Sequence, residues 1–429
     1  MTGSPATSPS RNASMRSSSY FQSSFGVLFF FCALGIWWPF FQRWLTSLGL
    51  SGMQIGTVYS LNSLIALIMV LAYGVIQDKL GMKRTLILVV STIAALIGPF
   101  VQFIYAPLIT HNLILGTVIG SLVLCAGYIS AISLVEAVTE RYSRHFGFEY
   151  GQSRAWGSLG YAIAVLLAGI TFNINPFINF WIASLFGVAM LLVYAVWYTP
   201  EQRAERSQES LSDSLPKAPS LREMARVLLM PSLWSMIIFV MLTCTFYTVF
   251  DQQFFPSFYT SLFPQESVGN TAYGILNSAH VFAESIMMGT VPVLMRRIGV
   301  RKAMLLGACV LCFRITLCAL FTDPVIVSAA RMLYAIDYPL LALSIFRYFT
   351  LHFNPRISAT LYMVGFQISA QIGQVIAATP LGIAHDVIGD RATFFIIAGV
   401  IVAAIAYGFF VIKRDDQQVD GEPLITVQG

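Results

Sequence analysis

Runs of about 20 apolar residues recur along the whole chain, and each is long enough to cross the hydrocarbon core of a bilayer as a helix. A chain of this kind has few structural options. In lipid, every backbone N–H and C=O must be satisfied within its own segment or in a closed barrel, so runs of this length are helices. Composition agrees. Of the 429 residues, 57% are hydrophobic and only 10% are charged, too few charges for a soluble protein of this length. Twelve spans are predicted, at about 25–47, 53–76, 84–107, 112–138, 153–174, 177–198, 231–256, 270–294, 301–321, 325–350, 358–382 and 391–413. Pro39, Pro256 and Pro339 fall within or at the end of spans, where membrane helices tolerate them.

The formal net charge of +5 carries no message about nucleic acid, because what matters here is where the charge sits. Of the 25 Lys and Arg, Arg43 and Arg391 fall in segments outside the membrane if the N-terminus is inside. Arg154, Arg314 and Arg331 fall within spans, and all the others lie on the inner side. That asymmetry predicts cytoplasmic N- and C-termini. Residues 1–24 are Ser-rich and read as a disordered cytoplasmic tail, with 414–429 as a second tail. The first apolar run is too long for a signal h-region and lacks a small-residue cleavage site, so a cleavable leader is not expected.

The longest polar stretch, 199–230, follows the sixth span and reads as a cytoplasmic linker between two six-helix parts, 25–198 and 231–413. A repeat supports the division: DKLGMKR at 78–84 follows the second span and RRIGVRK at 296–302 follows the eighth. In the first copy, Asp78, Lys79, Gly81, Lys83 and Arg84 are candidates for a conformational loop motif. The expected fold class is therefore an all-α integral membrane protein of twelve transmembrane helices in two six-helix halves. That is the major facilitator architecture, in which substrate is held between halves near the midplane. The six cysteines all lie in apolar runs. Cys309 and Cys312 form a CxxC with no further ligands nearby, which fits helix packing better than metal, and no metal site is expected.

The stretch Ser133–Tyr161, SLVEAVTERYSRHFGFEYGQSRAWGSLGY, carries two charges where apolar runs meet it, Glu136 and Arg154. A short loop holding Arg141, Arg144 and His145 is expected between them. On a helix, Arg154, Ser158 and Tyr161 fall within about 60° of one another over roughly 10 Å. A planar fork of donors beside an aromatic ring suits a polyol: the fork takes hydroxyls and the ring lies under the C–H face. The plain alternative is that Arg154 snorkels to headgroups from the cytoplasmic end of its helix. Residue counting also places Glu136 near that end of span four, so either the two helices project beyond the bilayer or the site lies inward of centre.

Ionisable groups inside spans are costly and are functional candidates by default. They are Glu136, Arg154, Asp251, Glu284, Arg314, Arg331 and Asp337, with His280 as the only histidine in a span. Depth along the helices pairs Asp251 with Arg331 as a structural ion pair between spans seven and ten. It places Glu284, Arg314 and Asp337 near the midplane. Asn277, His280 and Glu284 share one helical face within about 60°. Four carboxylates meet three guanidiniums, so one acid has no permanent partner, and an excess acid is what a proton-coupled carrier needs. The alternatives are an acid that stays protonated without a role in transport, and purely structural ion pairs, which three buried arginines make expensive.

FEYGQSRAWGSLGY, VFDQQF, YGILNS, INFW and DKLG, in this order, resemble the oligosaccharide:proton symporters of the major facilitator superfamily, over about residues 25–413. Within that family, RAWGS and the tyrosine at 161 resemble the sucrose permease branch. The resemblance implies that Glu136 and Arg154 bind sugar and that Tyr161 stacks on it. It implies that Asp251 and Arg331 form an ion pair, that Glu284 links sugar to proton, and that Arg314 and Asp337 handle the proton. Two departures stand out. The family generally has histidine where this chain has Tyr334, and His280 is a candidate replacement in the coupling path. Thr248 and Ala370 stand where lactose-carrying members have an acid and a lysine, so both charges are absent together.

The function these readings imply is import of a disaccharide, sucrose first, by proton symport and alternating access. The protein is expected to be no enzyme. It is expected to need no cofactor beyond the proton and to work as a monomer in the bacterial inner membrane. Its partners are the sugar, the proton and lipid, with no nucleic acid. Rival readings are import of lactose, raffinose or melibiose, and a sensor that does not transport, against which the short tails argue. A membrane enzyme lacks a nucleophile–base or metal-ligand set in the spans. For drug efflux, three in-span arginines fit apolar cations poorly.

Overall fold

A computed structural model describes residues 9–80, 84–197, 199, 228–353 and 358–416. Among these the backbone is helical with short turns and contains no strand. We label the long helices α1 (Ser18–Ser47), α2 (Gly52–Gly74), α4 (Leu113–Phe146), α5 (Tyr150–Ile174), α6 (Ile178–Ala195), α7 (Pro231–Ser261), α8 (Glu266–Ile298), α9 (Val300–Leu320) and α10 (Pro324–His352). Between α2 and α4, Thr85–Ala95 and Ile97–His111 meet at a bend of 52° and together make α3. The last long element, Thr360–Val411, is two helices joined at Gly389, whose φ of 77° and ψ of 177° leave the helical region. Dividing it there gives α11 (360–388) and α12 (390–411), and the described helices then match the twelve expected spans.

Several helices are interrupted where proline removes a backbone donor and crowds the preceding turn. A 3₁₀ turn, Trp38–Phe40, surrounds Pro39 in α1. In α7 a π turn, Phe250–Phe254, precedes Pro256. In α10 the helix breaks at Leu333, between Arg331 and Tyr334 and ahead of Pro339. The irregular turns of α7 and α10 lie where the in-span charges are, a common placing for π-bulges.

Two boundaries differ from expectation. Helix α1 begins well before residue 25, and Ser19, Gln22, Ser23 and Ser24 are buried. The polar side chains make this possible by bonding to the chain at and just after the end of α6: Ser19 donates to Thr199 Oγ1 at 3.1 Å, and Gln22 Nε2 donates to the carbonyl of Val193 at 3.3 Å. The expected loop at Arg141, Arg144 and His145 is instead the last stretch of α4, which runs to Phe146. Glu140 and Arg144 form an i,i+4 pair there, Arg144 and His145 favour the negative helix end, and Gly147 closes the helix with φ 70°. Arg84 donates to the carbonyls of Tyr194 and Trp197 at 3.0 and 3.2 Å, at the end of α6. Gly81 and Lys83 of the same motif, and the side chains of Asp78 and Lys79, lie outside the described residues, as does nearly all of the 199–230 linker.

By internal contacts the chain forms two units, residues 1–38 with 68–218 and residues 39–67 with 219–429. In the first, α1 crosses α5 closely. A side chain at Gly35 would meet the backbone oxygen of Tyr161 at 2.8 Å, so glycine is what allows the approach. In the second, the hairpin 39–67 packs with helices from the C-terminal part of the chain.

Candidate functional site

The first unit brings together three of its four predicted residues through direct bonds. Arg154 Nε donates to Glu136 Oε1 at 2.7 Å, and Nη1 donates to Ser158 Oγ at 3.2 Å. The guanidinium lies over the Phe31 ring, 4.1 Å from its centroid. A snorkelling anchor would point at headgroups; this one is clamped by an acid, a hydroxyl and an aromatic face. The arginine is 28% exposed and has more donors than these bonds use. Tyr161 is half-buried two turns along α5, its ring beside Gly35. Helix α4 continues ten residues past Glu136 to Phe146, whereas α5 starts at Tyr150, four residues before Arg154. Phe31 was not legible as a site residue, because an aromatic inside an apolar run reads as lipid-facing until the α1–α5 contact is known.

The second unit contains a connected network instead of the two separate sets expected from depth. Arg314 is fully buried. Its Nη1 and Nη2 donate to the two oxygens of Asp251 at 2.7 and 2.9 Å, and its Nε donates to Asp337 Oδ2 at 2.7 Å. Arg331 Nη1 also donates to Asp251, and its Nη2 lies 3.4 Å from Asn277 Oδ1. Asp251 and Arg331 are thus paired as expected, but Arg314 joins that pair to Asp337. Asp251 receives charge from two arginines. Asp337 receives one bond, and its other oxygen has no hydrogen-bond partner among the described residues.

Aromatic rings enclose this network. The Tyr334 ring lies 5.4 Å from the Arg314 guanidinium and 4.7 Å from that of Arg331, within cation–π range. Its hydroxyl is 2.6 Å from that of Tyr247, and Tyr338 stacks on both rings. His280 meets the Tyr334 ring edge-on at 4.6 Å, and its Nδ1 has no partner among the described residues. Glu284 is half-buried and close enough to act on Tyr334 electrostatically. Tyr247 was missed in the sequence, although its place one turn before Asp251 was the available signal. Among the described residues no cluster of His, Cys, Asp and Glu could hold a metal.

A sequence model of the LacY proton/sugar symporter family matches residues 12–422. The chain is 38% identical over 412 residues to the sucrose permease of Escherichia coli, covering 96% of each chain. It is 32% identical to the raffinose permease of Escherichia coli over 91% of this chain and 92% of that one. For the lactose permease of Klebsiella oxytoca the values are 31%, 89% and 91%. Among solved structures, the nucleoside transporter NupG superposes with a TM-score of 0.77 at 17% identity, covering 92% of this chain and 99% of that one; at that identity the likeness speaks for the fold alone. This chain, a multi-pass membrane protein, belongs to the LacY family of proton/sugar symporters.

Proposed function

We propose that this symporter imports sucrose with a proton, and that Asp337 is the group that carries the proton. The observation that carries the proposal is the sharing of Arg314. If Asp337 takes a proton, Arg314 keeps both of its bonds to Asp251 and no guanidinium is orphaned. If Asp251 took one, Arg331 would lose its acid and Arg314 its bidentate partner, a cost of about 3–5 kcal/mol for a buried pair broken on one side. The network therefore has one acid that can be neutralised cheaply, and it is the acid with a bare oxygen.

In the first unit sugar is bound by Arg154, with Glu136 and Ser158 fixing the plane of its fork and Tyr161 supplying a ring face; in the second unit Asn277, His280 and Glu284 are candidate polar groups for sugar. Sucrose is favoured over lactose, raffinose and melibiose because the relative named for it shares more of its sequence with this chain than those named for the other sugars. The basic inner loops support a bacterial inner-membrane carrier with both termini in the cytoplasm; we take it to work as a monomer with no cofactor but the proton. Uptake of labelled sucrose, lactose, raffinose and melibiose into vesicles, with and without a protonophore, tests the reading. Sucrose should accumulate, and the protonophore should abolish accumulation. Preferred accumulation of another of these sugars would reassign the substrate, and accumulation indifferent to the protonophore would remove the proton.

A further inference from the structure

The hairpin 39–67 is held to helices of the C-terminal part of the chain by two charged contacts at one end of the bundle. At the first residues of α2, the backbone N–H groups of Gly52 and Met53 donate to the two oxygens of Asp386, at 2.7 and 2.8 Å. The carboxylate belongs to α11, more than 300 positions away in the sequence. It does the work of a helix N-cap, normally done by a local side chain, and adds a negative charge at the positive end of the helix dipole. Asp386 is itself flanked by a fixed neighbour: His385 Nε2 is 2.9 Å from Asp390 Oδ1, and its ring stacks on Phe254 at 5.1 Å. At the end of α1, Arg43 pairs with Glu266 at the start of α8 and reaches Ser257 at 3.4 Å.

Between these contacts two polar pairs cross the seam, beside apolar packing such as Phe40 on Tyr273. Ser60 and Thr379 hydroxyls are 3.0 Å apart, and Ser63 donates to Gln374 at 2.8 Å. A cavity of about 240 Å³ lies alongside, with Leu50, Ile55 and Phe254 as well as Gln42, Ser257 and Asp386 in its wall. Hydrogen bonds of this kind exchange for water at little net cost, whereas an apolar seam would not. The charges at the rim and the polar pairs across the seam are bonds that water can replace when the seam parts.

We propose that Asp386 and Arg43 are latches that close the outer end of the carrier by holding the α1–α2 hairpin, and that both release when it opens outward. This rests on the transport reading and topology above, which put these helix ends on the outer side. The test uses the full-length protein in right-side-out and inverted vesicles, with Ser63→Cys as reporter and a membrane-impermeant maleimide. Asp386→Ala and Arg43→Ala should each raise the outside labelling rate by about tenfold, the equivalent of one charge-assisted hydrogen bond. Unchanged labelling in both variants overturns the latch, and a rise seen only in inverted vesicles overturns its outer placement. A second measurement avoids weakening the cap. Oxidation of Ser60→Cys with Thr379→Cys should block sugar counterflow and reduction should restore it, whereas full counterflow by the cross-linked protein would show that the seam does not open. Thiol labelling reads the gate without sugar, so a wrong substrate leaves it intact.

Discussion

Arg154 is tied down by three different interactions at once, and only a guanidinium can make all of them. Its Nε serves Glu136, its Nη1 serves Ser158, and its flat face rests on Phe31. Arg154→Lys keeps the charge but offers a point cation in place of the fork. Sugar affinity should fall by about tenfold or more, since each lost charged hydrogen bond is worth about 1.5–3 kcal/mol. Equilibrium binding of sucrose to the purified variant measures it, and an unchanged Kd would return Arg154 to a structural anchor. His280 poses the opposite problem. It packs on Tyr334, and a phenol does not exchange protons near neutral pH. We expect His280→Gln to keep proton-driven accumulation with an unaltered profile from about pH 5.5 to 8, a window spanning the histidine range, because the contact seen is with a ring. Collapse of accumulation with exchange preserved would instead place the imidazole in the proton path.

At the scale of helices, the network ties α7, α9 and α10 together through one shared carboxylate, which sets an order of mutational cost. Arg331→Gln leaves Asp251 its bidentate bonds from Arg314. Asp251→Asn leaves two guanidiniums facing Asp337 alone, and should lower expression and transport more. The double change should recover part of that loss, which a double-mutant cycle on transport would measure; a harmless Asp251→Asn would undo the account. The break at Gly389 makes a separate demand. Its backbone lies in a region that is almost exclusively glycine's, at a cost of about 1–3 kcal/mol for other residues, and a side chain there would meet nothing within 4 Å. Gly389→Ala should therefore lower the thermal midpoint in detergent through strain alone, and an unchanged midpoint would show that the helices can rejoin without it. The spans themselves were legible in the sequence because length and apolarity suffice to define them. The polar extensions were not: residues 139–146 and Ser18–Ser24 are helical because of an i,i+4 pair, a glycine cap and bonds to α6, none of which hydropathy registers. Depth counting paired Asp251 with Arg331 but could not foresee that Arg314 reaches both acids. The π turn at Phe250–Phe254 and the break at Leu333 shift side chains off the positions a regular helix would give them.

For the molecule as a whole, symport requires that one acid change protonation during the cycle while every other buried charge stays compensated. The in-span charges number one acid more than arginines, and the proposal that Asp337 is the acid that changes protonation rests on how the buried network is bonded. Glu136 is committed to Arg154, Asp251 to two arginines, and Asp337 to Arg314 through a single oxygen. Asparagine at 337 would mimic the protonated acid permanently. The Arg314–Asp251 bonds should survive it, so the protein should fold, bind sugar and exchange internal for external sugar, since exchange needs no loss of the proton. What it cannot do is let the proton go on the inner side, which is the step that converts a proton gradient into a sugar gradient. Asp337→Asn vesicles should therefore show counterflow comparable to the unmodified protein and no accumulation against a gradient. Asp251→Asn, by contrast, should impair both, because it breaks pairs instead of fixing a protonation state. Full accumulation by Asp337→Asn would remove this residue from the mechanism and shift the proton to Glu284, the half-buried acid beside Tyr334.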